Sequence, residues 1–162
     1  PQGVLGTYDR TIGHQRGLQS WSWLAAAGHA TCEQTGERVP YAVQVAKDRE
    51  AARPRVDSRK YAVWVGGVLY KIPEVDFVYE YTDPEARETT GWRVESPDLG
   101  GVRWLSLDFS PRYHRRERRL RWLVQADFNQ YYGELSGRIG VDGRVLRLEE
   151  TFAVTEESLL EL

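Results

Sequence analysis

The sequence predicts an all-β fold: an antiparallel meander of about ten strands that closes into a β-barrel. Three observations carry this expectation. Aromatic and β-branched residues alternate with polar ones in short runs bounded by Gly, Pro and Asp. No long stretch holds the apolar period of about 3.6 residues that marks an amphipathic helix. A long meander also protects its two edges best by closing, because an unpaired edge strand recruits other chains.

The elements follow in order. Residues 4–10 form a first strand. Residues 20–32 form the second, with Trp21, Trp23, Ala25, Ala27 and His29 on one face by the two-residue period. Residues 41–46 follow Pro40. Residues 46–59 have a helix-like composition, but Pro54 interrupts them and a loop is expected. Residues 60–65 and 68–72 flank Gly66-Gly67, a pair that tolerates the positive φ angles of a two-residue hairpin turn. Residues 75–81 set Val75, Phe77, Tyr79 and Tyr81 against Asp76, Val78 and Glu80. Strands at 92–95, 102–109, 118–128, 131–141 and 144–154 complete the set, with Asp142-Gly143 as a second tight turn.

The composition bounds the function. The 162 residues are 41% apolar and 28% charged, which fits a single domain over residues 1–162. Such a chain buries about 70% of its unfolded surface and needs no metal or disulfide to fold. No apolar run approaches the roughly 20 residues of a membrane-spanning helix. The opening Pro1-Gln2-Gly3-Val4 lacks the basic and apolar regions of a signal peptide, so a cytoplasmic location is expected. A single cysteine, Cys32, excludes an internal disulfide framework and a Cys-built zinc site. The formal charge of -2 provides no global attraction to nucleic acid. The sequence contains no methionine and begins with proline. That points either to a processed or excised segment or to positions from which modified methionines are missing. Arginine outnumbers lysine 19 to 3, the signature of a GC-rich bacterial coding sequence.

The motifs of familiar chemistry are missing: there is no phosphate loop, H-E-x-x-H, G-x-S-x-G or EF-hand loop. His14, His29 and His114 do not have metal-ligand spacing, so neither a metal nor a cofactor is expected. Arg112, Arg115, Arg116, Arg118, Arg119 and Arg121 form a basic run interrupted only by the acidic Glu117, leaving 16 basic and 23 acidic residues elsewhere. The run fits either an anion or acidic partner or, more simply, a solvated hairpin tip with exposed, replaceable Arg115, Arg116 and Arg118. Two polar-aromatic clusters stand out. One is Tyr8-Asp9-Arg10 with Gly13-His14-Gln15-Arg16 and Trp21-Ser22-Trp23; the other runs from Asp127 to Glu134 and includes Gln130 and Tyr131. The Trp21-Trp23-Ala25-Ala27 face either walls a cavity or packs on a large neighbour. Asp127 is expected at a strand end beside aromatic residues. It is either a carboxyl with a pKa raised by desolvation, able to donate a proton, or a turn residue capping backbone N–H groups.

Those clusters carry a resemblance. The run GTYDRTIGHQRGLQSWSWLAAAG, then YAVWVGGVLYKI, WRVESPD, LSLDFSP and ADFNQYYGELSG, resembles in order a bacterial family of unassigned function. The last stretch matches its D-F-x-Q-x-x-G-x-x-S-G pattern through Asp127, Phe128, Gln130, Gly133, Ser136 and Gly137. The matches span residues 6–152. That family is related to the tandem lipocalin-like proteins, which include carotenoid hydratases (hydroxyneurosporene synthase), tocopherol cyclases and natural-product cyclases. The chain departs from the pattern at Gly13-His14 and in an insertion at 49–59. The resemblance implies a lipocalin-like (calycin-type) barrel and the C-terminal half of a two-barrel protein. It also implies a large apolar small molecule as ligand. The resemblance transfers no catalytic residue.

Three functions follow as expectations. One is non-redox chemistry on a polyene, prenyl or polyketide substrate, by hydration, cyclisation or isomerisation. It takes Asp127 or Asp9 as acid, His29 to orient water, and Tyr8, Trp21, Trp23, Gln130 and Tyr131 as the binding wall. The second is a non-catalytic carrier of an apolar ligand. The third is a structural half packing on a second barrel or on another copy of the chain. An exposed apolar patch is expected where that partner docks.

Overall fold

A computed structural model describes residues 19–48, 60–96, 98–99, 101–121 and 124–161. The strand expected at 4–10, with Tyr8 and Asp9, lies outside them, as do residues 49–59. Nine strands are present and no helix occurs among the described residues: β1 Gln19–Cys32, β2 Arg38–Asp48, β3 Lys60–Val65, β4 Val68–Lys71, β5 Asp76–Asp83, β6 Glu88–Glu95, β7 Arg103–Arg121, β8 Val124–Val141 and β9 Arg144–Glu161. They form one antiparallel sheet in the order β4-β3-β2-β1-β9-β8-β7-β6-β5. Two meanders, β1 to β4 and β5 to β9, therefore join through the β1–β9 ladder.

The turns form where the chain supplies residues that accept positive φ. Gly66 and Gly67 (φ 57° and 83°) join β3 to β4, and Asp142 and Gly143 (φ 47° and 82°) join β8 to β9. Strand alternation then sorts the faces. In β2, Val39, Tyr41, Val43 and Val45 are buried, while Arg38, Pro40, Ala42 and Gln44 are not. The same inner face receives Leu24 and Ala26 of β1, Tyr61 and Val63 of β3, Trp92 and Val94 of β6, Leu105, Leu107 and Phe109 of β7, Leu135 and Ile139 of β8, and Leu146 and Leu148 of β9.

The sheet curls strongly without closing. β4 and β5 are its opposite edges, and only residues 72–75 separate them in the chain. Ile72 and Val75 in that link are buried in the core. Side chains bridge the curled edges. Tyr70 of β4 accepts a hydrogen bond from Arg144 Nη2 at the start of β9 (3.2 Å), with the Arg103 guanidinium of β7 over its ring. At the other edge Asp76 of β5 pairs with Lys47 of β2, and Tyr81 of β5 donates its hydroxyl hydrogen to Glu157 of β9. The closed barrel is thus corrected to an open sheet with a β4–β5 seam. The physical reason lies in β5 and β6. β6 pairs with β7 only from Trp92 to Glu95, and β7 is irregular between Pro111 and Tyr113, so the start of β6 parts from β7. The β5–β6 hairpin consequently turns inward, and the edge of β5 meets side chains instead of the backbone of β4.

Two further expectations change. The strand predicted at 118–128 is two strands: Arg121 of β7 pairs with Val124 of β8, so the chain reverses between them. The local sequence Leu120-Arg121-Trp122-Leu123-Val124 contains no Gly, Pro, Asn or Asp to announce a reversal. Asp127 is therefore inside β8, not at a strand end. In β1 the inner face carries Ser22 and Leu24, so Trp21 and Trp23 point to the outer face, where they are half-buried. Leu24 faces Val45 and Thr155, and those two ladders set the phase of β1. The outer face also carries an exposed aromatic row across three strands, Tyr113–Tyr132–Phe152, with ring centroids 5.9 and 6.4 Å apart.

β7 and β8 approach each other closely at Gly133. A Cβ at Gly133 would run into the Ser110 carbonyl oxygen and the Pro111 Cα, both backbone atoms that cannot rotate away. Gly133→Ala is expected to lower the unfolding free energy by about 1–3 kcal/mol. Urea denaturation followed by circular dichroism measures it, and an unchanged midpoint would show that β7 shifts freely.

Candidate functional site

The inner face is apolar at one end and polar at the other, and the boundary falls along two cross-strand rows. One row runs Tyr61, Val45, Leu24, Thr155, Tyr131, His114; the next runs Lys47, Ser22, Glu157, Asn129, Arg116. Directly opposed residues on one face hold their Cβ atoms about 5 Å apart, so the second row is a continuous polar strip. Its middle is buried: Ser22, Asn129 and Glu157 are 0, 1 and 6% exposed, and Thr155 of the neighbouring row is 0% exposed. Buried polar groups are costly unless partnered, so their partners define the site.

Asp127, one row further along, is held by a fork. Arg116 donates from Nε to Oδ1 (2.9 Å) and from Nη2 to Oδ2 (2.6 Å), a bidentate charge-assisted pair. Asn129 Nδ2 also donates to Asp127 Oδ1 (3.1 Å). With its amide nitrogen so used, Asn129 presents Oδ1 to His114 Nε2 at 3.1 Å, which assigns the imidazole hydrogen to Nε2. Burial pushes the Asp127 pKa up, but the Arg116 hydrogen bonds and charge, with help from Asn129 and Arg87, outweigh it and leave the carboxyl below its ordinary value. Neither alternative for Asp127 fits: the carboxyl is not shifted upward, and its partners are the Arg116 and Asn129 side chains inside a ladder, not the backbone N–H groups of a turn.

The β5–β6 turn completes the site. Arg87 takes a positive φ of 59°, which directs its side chain inward. Its guanidinium lies 5.0 Å from the Tyr81 ring centroid, with Nε 3.9 Å from Asp127 Oδ2 and Nη1 3.9 Å from Glu157 Oε1. The turn is anchored by the Tyr131 hydroxyl, which donates to the Arg87 carbonyl oxygen (2.6 Å), and by Arg116 Nη1, which donates to the Glu85 carbonyl oxygen. Asp83 Oδ1 accepts from the backbone N–H groups of Glu85 and Ala86 (2.9 Å each) and shapes the reversal. Burial raises the Tyr81 phenol, and the carboxylate of Glu157 raises it further against the opposing Arg87. Burial likewise raises Tyr131.

An aromatic ladder borders this polar end. His114 stacks on Tyr131 (4.4 Å, 8°), Tyr131 meets Trp92 (5.4 Å), Trp92 stacks on Tyr79 (4.0 Å, 11°), and Phe77 meets Trp92 edge-on (6.1 Å). Such contacts contribute about 0.5–1.5 kcal/mol each beyond area burial. Two hydroxyls, Ser22 Oγ in the polar strip and Thr155 Oγ1 in the row beside it, are fully buried and have no hydrogen-bond partner. A buried hydroxyl without a partner costs about 1–3 kcal/mol, which marks a place where a further polar group fits.

Of the residues expected at a site, Asp127 and Tyr131 lie in this cluster. Trp21, Trp23 and Gln130 lie on the outer face, where Gln130 Nε2 donates to Glu156 Oε1 (2.6 Å). His29 is exposed on β1. Sequence reasoning missed Arg87, Tyr81, Glu157, Ser22 and Thr155. For Ser22, Thr155 and Glu157 the signal was a polar residue at an inner position, Thr155 and Glu157 continuing the phase of the buried Ala153; Arg87, in a turn, carries no such signal. Of the three arginines expected to be free, Arg115 and Arg118 are exposed, but Arg116 is the Asp127 partner, its side chain 23% exposed. Among the described residues no three His, Cys, Asp or Glu side chains are grouped to hold a metal ion, and no helix is long and apolar enough to cross a membrane.

Residues 2–160 match the family described as Domain of unknown function (DUF2804), and the chain belongs to that family. Comparison with curated proteins yields no match.

Removing Arg116 leaves a partly buried carboxylate without its fork. Arg116→Gln is expected to cost about 2–3 kcal/mol at pH 7 in urea denaturation. Because the folded pKa of Asp127 lies below the unfolded one, the pair stabilises fully above the unfolded value of about 3.9. That stability disappears as pH falls through the folded pKa. The difference between wild type and variant should therefore shrink in acid; a difference independent of pH would remove Asp127 from the explanation.

Proposed function

We propose that the curled sheet binds one amphipathic small molecule. Its apolar body lies along the Tyr131–Trp92–Tyr79–Phe77 ladder and its polar end reaches the Ser22–Glu157–Thr155 strip. The observation that carries the reading is the pair of fully buried hydroxyls, Ser22 Oγ and Thr155 Oγ1, left without partners beside a buried carboxylate. A merely structural core would place apolar residues there, since Thr155 and Ser22 as they stand cost stability. The aromatic ladder sets rigid apolar rings, Trp92 and Tyr131 buried among them, beside a few polar groups, and that mixture is the usual make-up of a small-molecule site.

This reading agrees with kinship to the tandem lipocalin-like proteins and with a role as the C-terminal half of a two-barrel protein. The outer Tyr113–Tyr132–Phe152 row is the surface on which a second half would sit, Tyr113 and Phe152 being 63 and 65% exposed. Binding without catalysis is the reading best supported, because the expected acid, Asp127, is tied to Arg116 as a carboxylate. One observation favours a second, catalytic reading. The Tyr81 hydroxyl donates to Glu157 beside the aromatic ladder, a phenol–carboxylate pair placed for proton transfer in hydration, cyclisation or isomerisation of an unsaturated ligand.

Thr155→Val tests the binding reading, because it keeps shape and removes the hydroxyl. It is expected to stabilise the ligand-free protein by about 1–2 kcal/mol. The same change should weaken binding of the neutral fluorescent probe Nile red, read by titration. Native mass spectrometry of the wild-type protein should show a co-purified small molecule that Thr155→Val lacks. A variant that is destabilised and binds Nile red unchanged would overturn the reading.

A further inference from the structure

We propose that the open edge of β7, from Ser110 to Leu120, takes an extended acidic segment of a partner protein as an added antiparallel strand. This edge is on the side of β7 away from β8 and is separate from the inner-face site.

The edge follows from the parting of β6. β7 pairs with β8 from Arg103 to Arg121, but with β6 only from Ser106 to Phe109. The next pair, Gly91 with Ser110, is not made. A groove of about 390 Å³ opens there, lined in part by Val78, Gly91, Phe109 and Ser110. Beyond it β6 turns inward with its hairpin, and among the described residues no other strand takes its place beside β7. In an antiparallel ladder every second residue directs its N–H and C=O away from the partner strand. The free side of β7 is thus a line of alternating donors and acceptors about 36 Å long. A polypeptide strand answers both kinds of group. A phosphate chain presents acceptors alone and would leave the β7 carbonyl oxygens unpaired.

Charge selects the sequence of that strand. Five arginines lie between positions 112 and 119, and three carboxylates pair with them: Glu134 with Arg112, Asp127 with Arg116, and Glu117 shared by Arg115 and Arg119. Arg118 is exposed and has no ion pair among the described residues. By the two-residue period Arg115 and Arg119 stand on the outer face and Arg118 on the inner, so exposed guanidiniums flank the edge on both sides. Residues of an added strand would lie about 5 Å across from them, within reach of a carboxylate. The same charges exclude a second copy of this chain, because two β7 edges side by side set arginine against arginine. The bulge between Pro111 and Tyr113 twists the start of the edge and adds to that protection. Guarded against its own kind, the edge stays open to a strand of opposite sign.

Fluorescence anisotropy of a rhodamine-labelled, end-capped peptide, Thr-Glu-Glu-Thr-Thr-Glu-Thr-Val, titrated with the full chain tests the proposal. Laid antiparallel from Leu120 to Tyr113, the peptide sets its glutamates against Arg119, Arg118 and Arg115. It is expected to bind about tenfold more tightly than the same peptide with Gln for Glu, and to weaken as salt is added. The triple variant Arg115→Gln, Arg118→Gln, Arg119→Gln should lose that tenfold preference. N-methylation of every peptide nitrogen keeps the charge and removes the donors, and it should abolish binding to the wild-type chain. That arm stays decisive if the triple variant does not fold by circular dichroism. Binding that survives N-methylation reduces the edge to a basic patch. Equal binding of the Gln peptide removes the charge preference, and no binding of the Glu peptide removes the site. A wild-type dimer in sedimentation equilibrium that excludes the peptide gives the edge to a second copy. An oligothymidylate that binds more tightly than the Glu peptide gives it to nucleic acid. Each of these results overturns the proposal.

Discussion

A four-residue link governs this molecule. β4 and β5 are the outermost strands of a nine-stranded sheet, yet only residues 72–75 join them. Laid flat, eight inter-strand spacings of about 4.8 Å would put those edges about 38 Å apart. From Lys71 to Asp76 the chain reaches at most about 18 Å when fully extended. The sheet must therefore curl until its edges approach, and everything on the inner face becomes a core because of it. Ile72 and Val75 sink into that core, so the link is fastened by burial as well as by connectivity.

The curl does not end in a hydrogen-bonded seam because the two edges are unequal. β4 has four residues, whereas β5 has eight and belongs to a hairpin that parts from β7 beyond Trp92. That hairpin inclines inward and carries Tyr81 and Arg87 to the middle strands β8 and β9. Side-chain pairing to Glu157 and Asp127 thus takes the place of a backbone ladder. Desolvated carboxylates demand partners, and the hairpin supplies them. The polar end of the core and the inward tilt of β5–β6 are one arrangement seen from two sides.

The inner face grades from Leu, Ile and Val through the aromatic ladder to the Ser22–Glu157–Asn129–Arg116 strip. The gradient has a chemical consequence. Under the proposed reading, an amphipathic molecule would meet both ends at once, its chain against rings and its polar end against buried hydroxyls. The fork between Arg116 and Asp127 holds one carboxylate, while Glu157 accepts from the Tyr81 hydroxyl of the same inward hairpin.

The sequence by itself determined the β content, the tight turns at Gly66-Gly67 and Asp142-Gly143 and the antiparallel meander, since each rests on neighbours within a few residues. Alternation and positive-φ residues are local signals, legible without partners. Only the tertiary structure decided which face of β1 is inner. Trp21 and Trp23 alternate as well as Ser22 and Leu24 do, and the choice came from the register against Val45 and Thr155, distant in the chain. It also decided that Asp127 is an ion-paired carboxylate. Arg116 lies across the β7–β8 hairpin, whose reversal after Arg121 carries no turn residue in the sequence. Arg87 meets Asp127 and Glu157 at separations of 40 and 70 positions for the same reason the sheet curls, a short link between opposite edges. Charge pairing over such distances depends on how the sheet closes on itself, and that is a property of the whole chain, not of any segment.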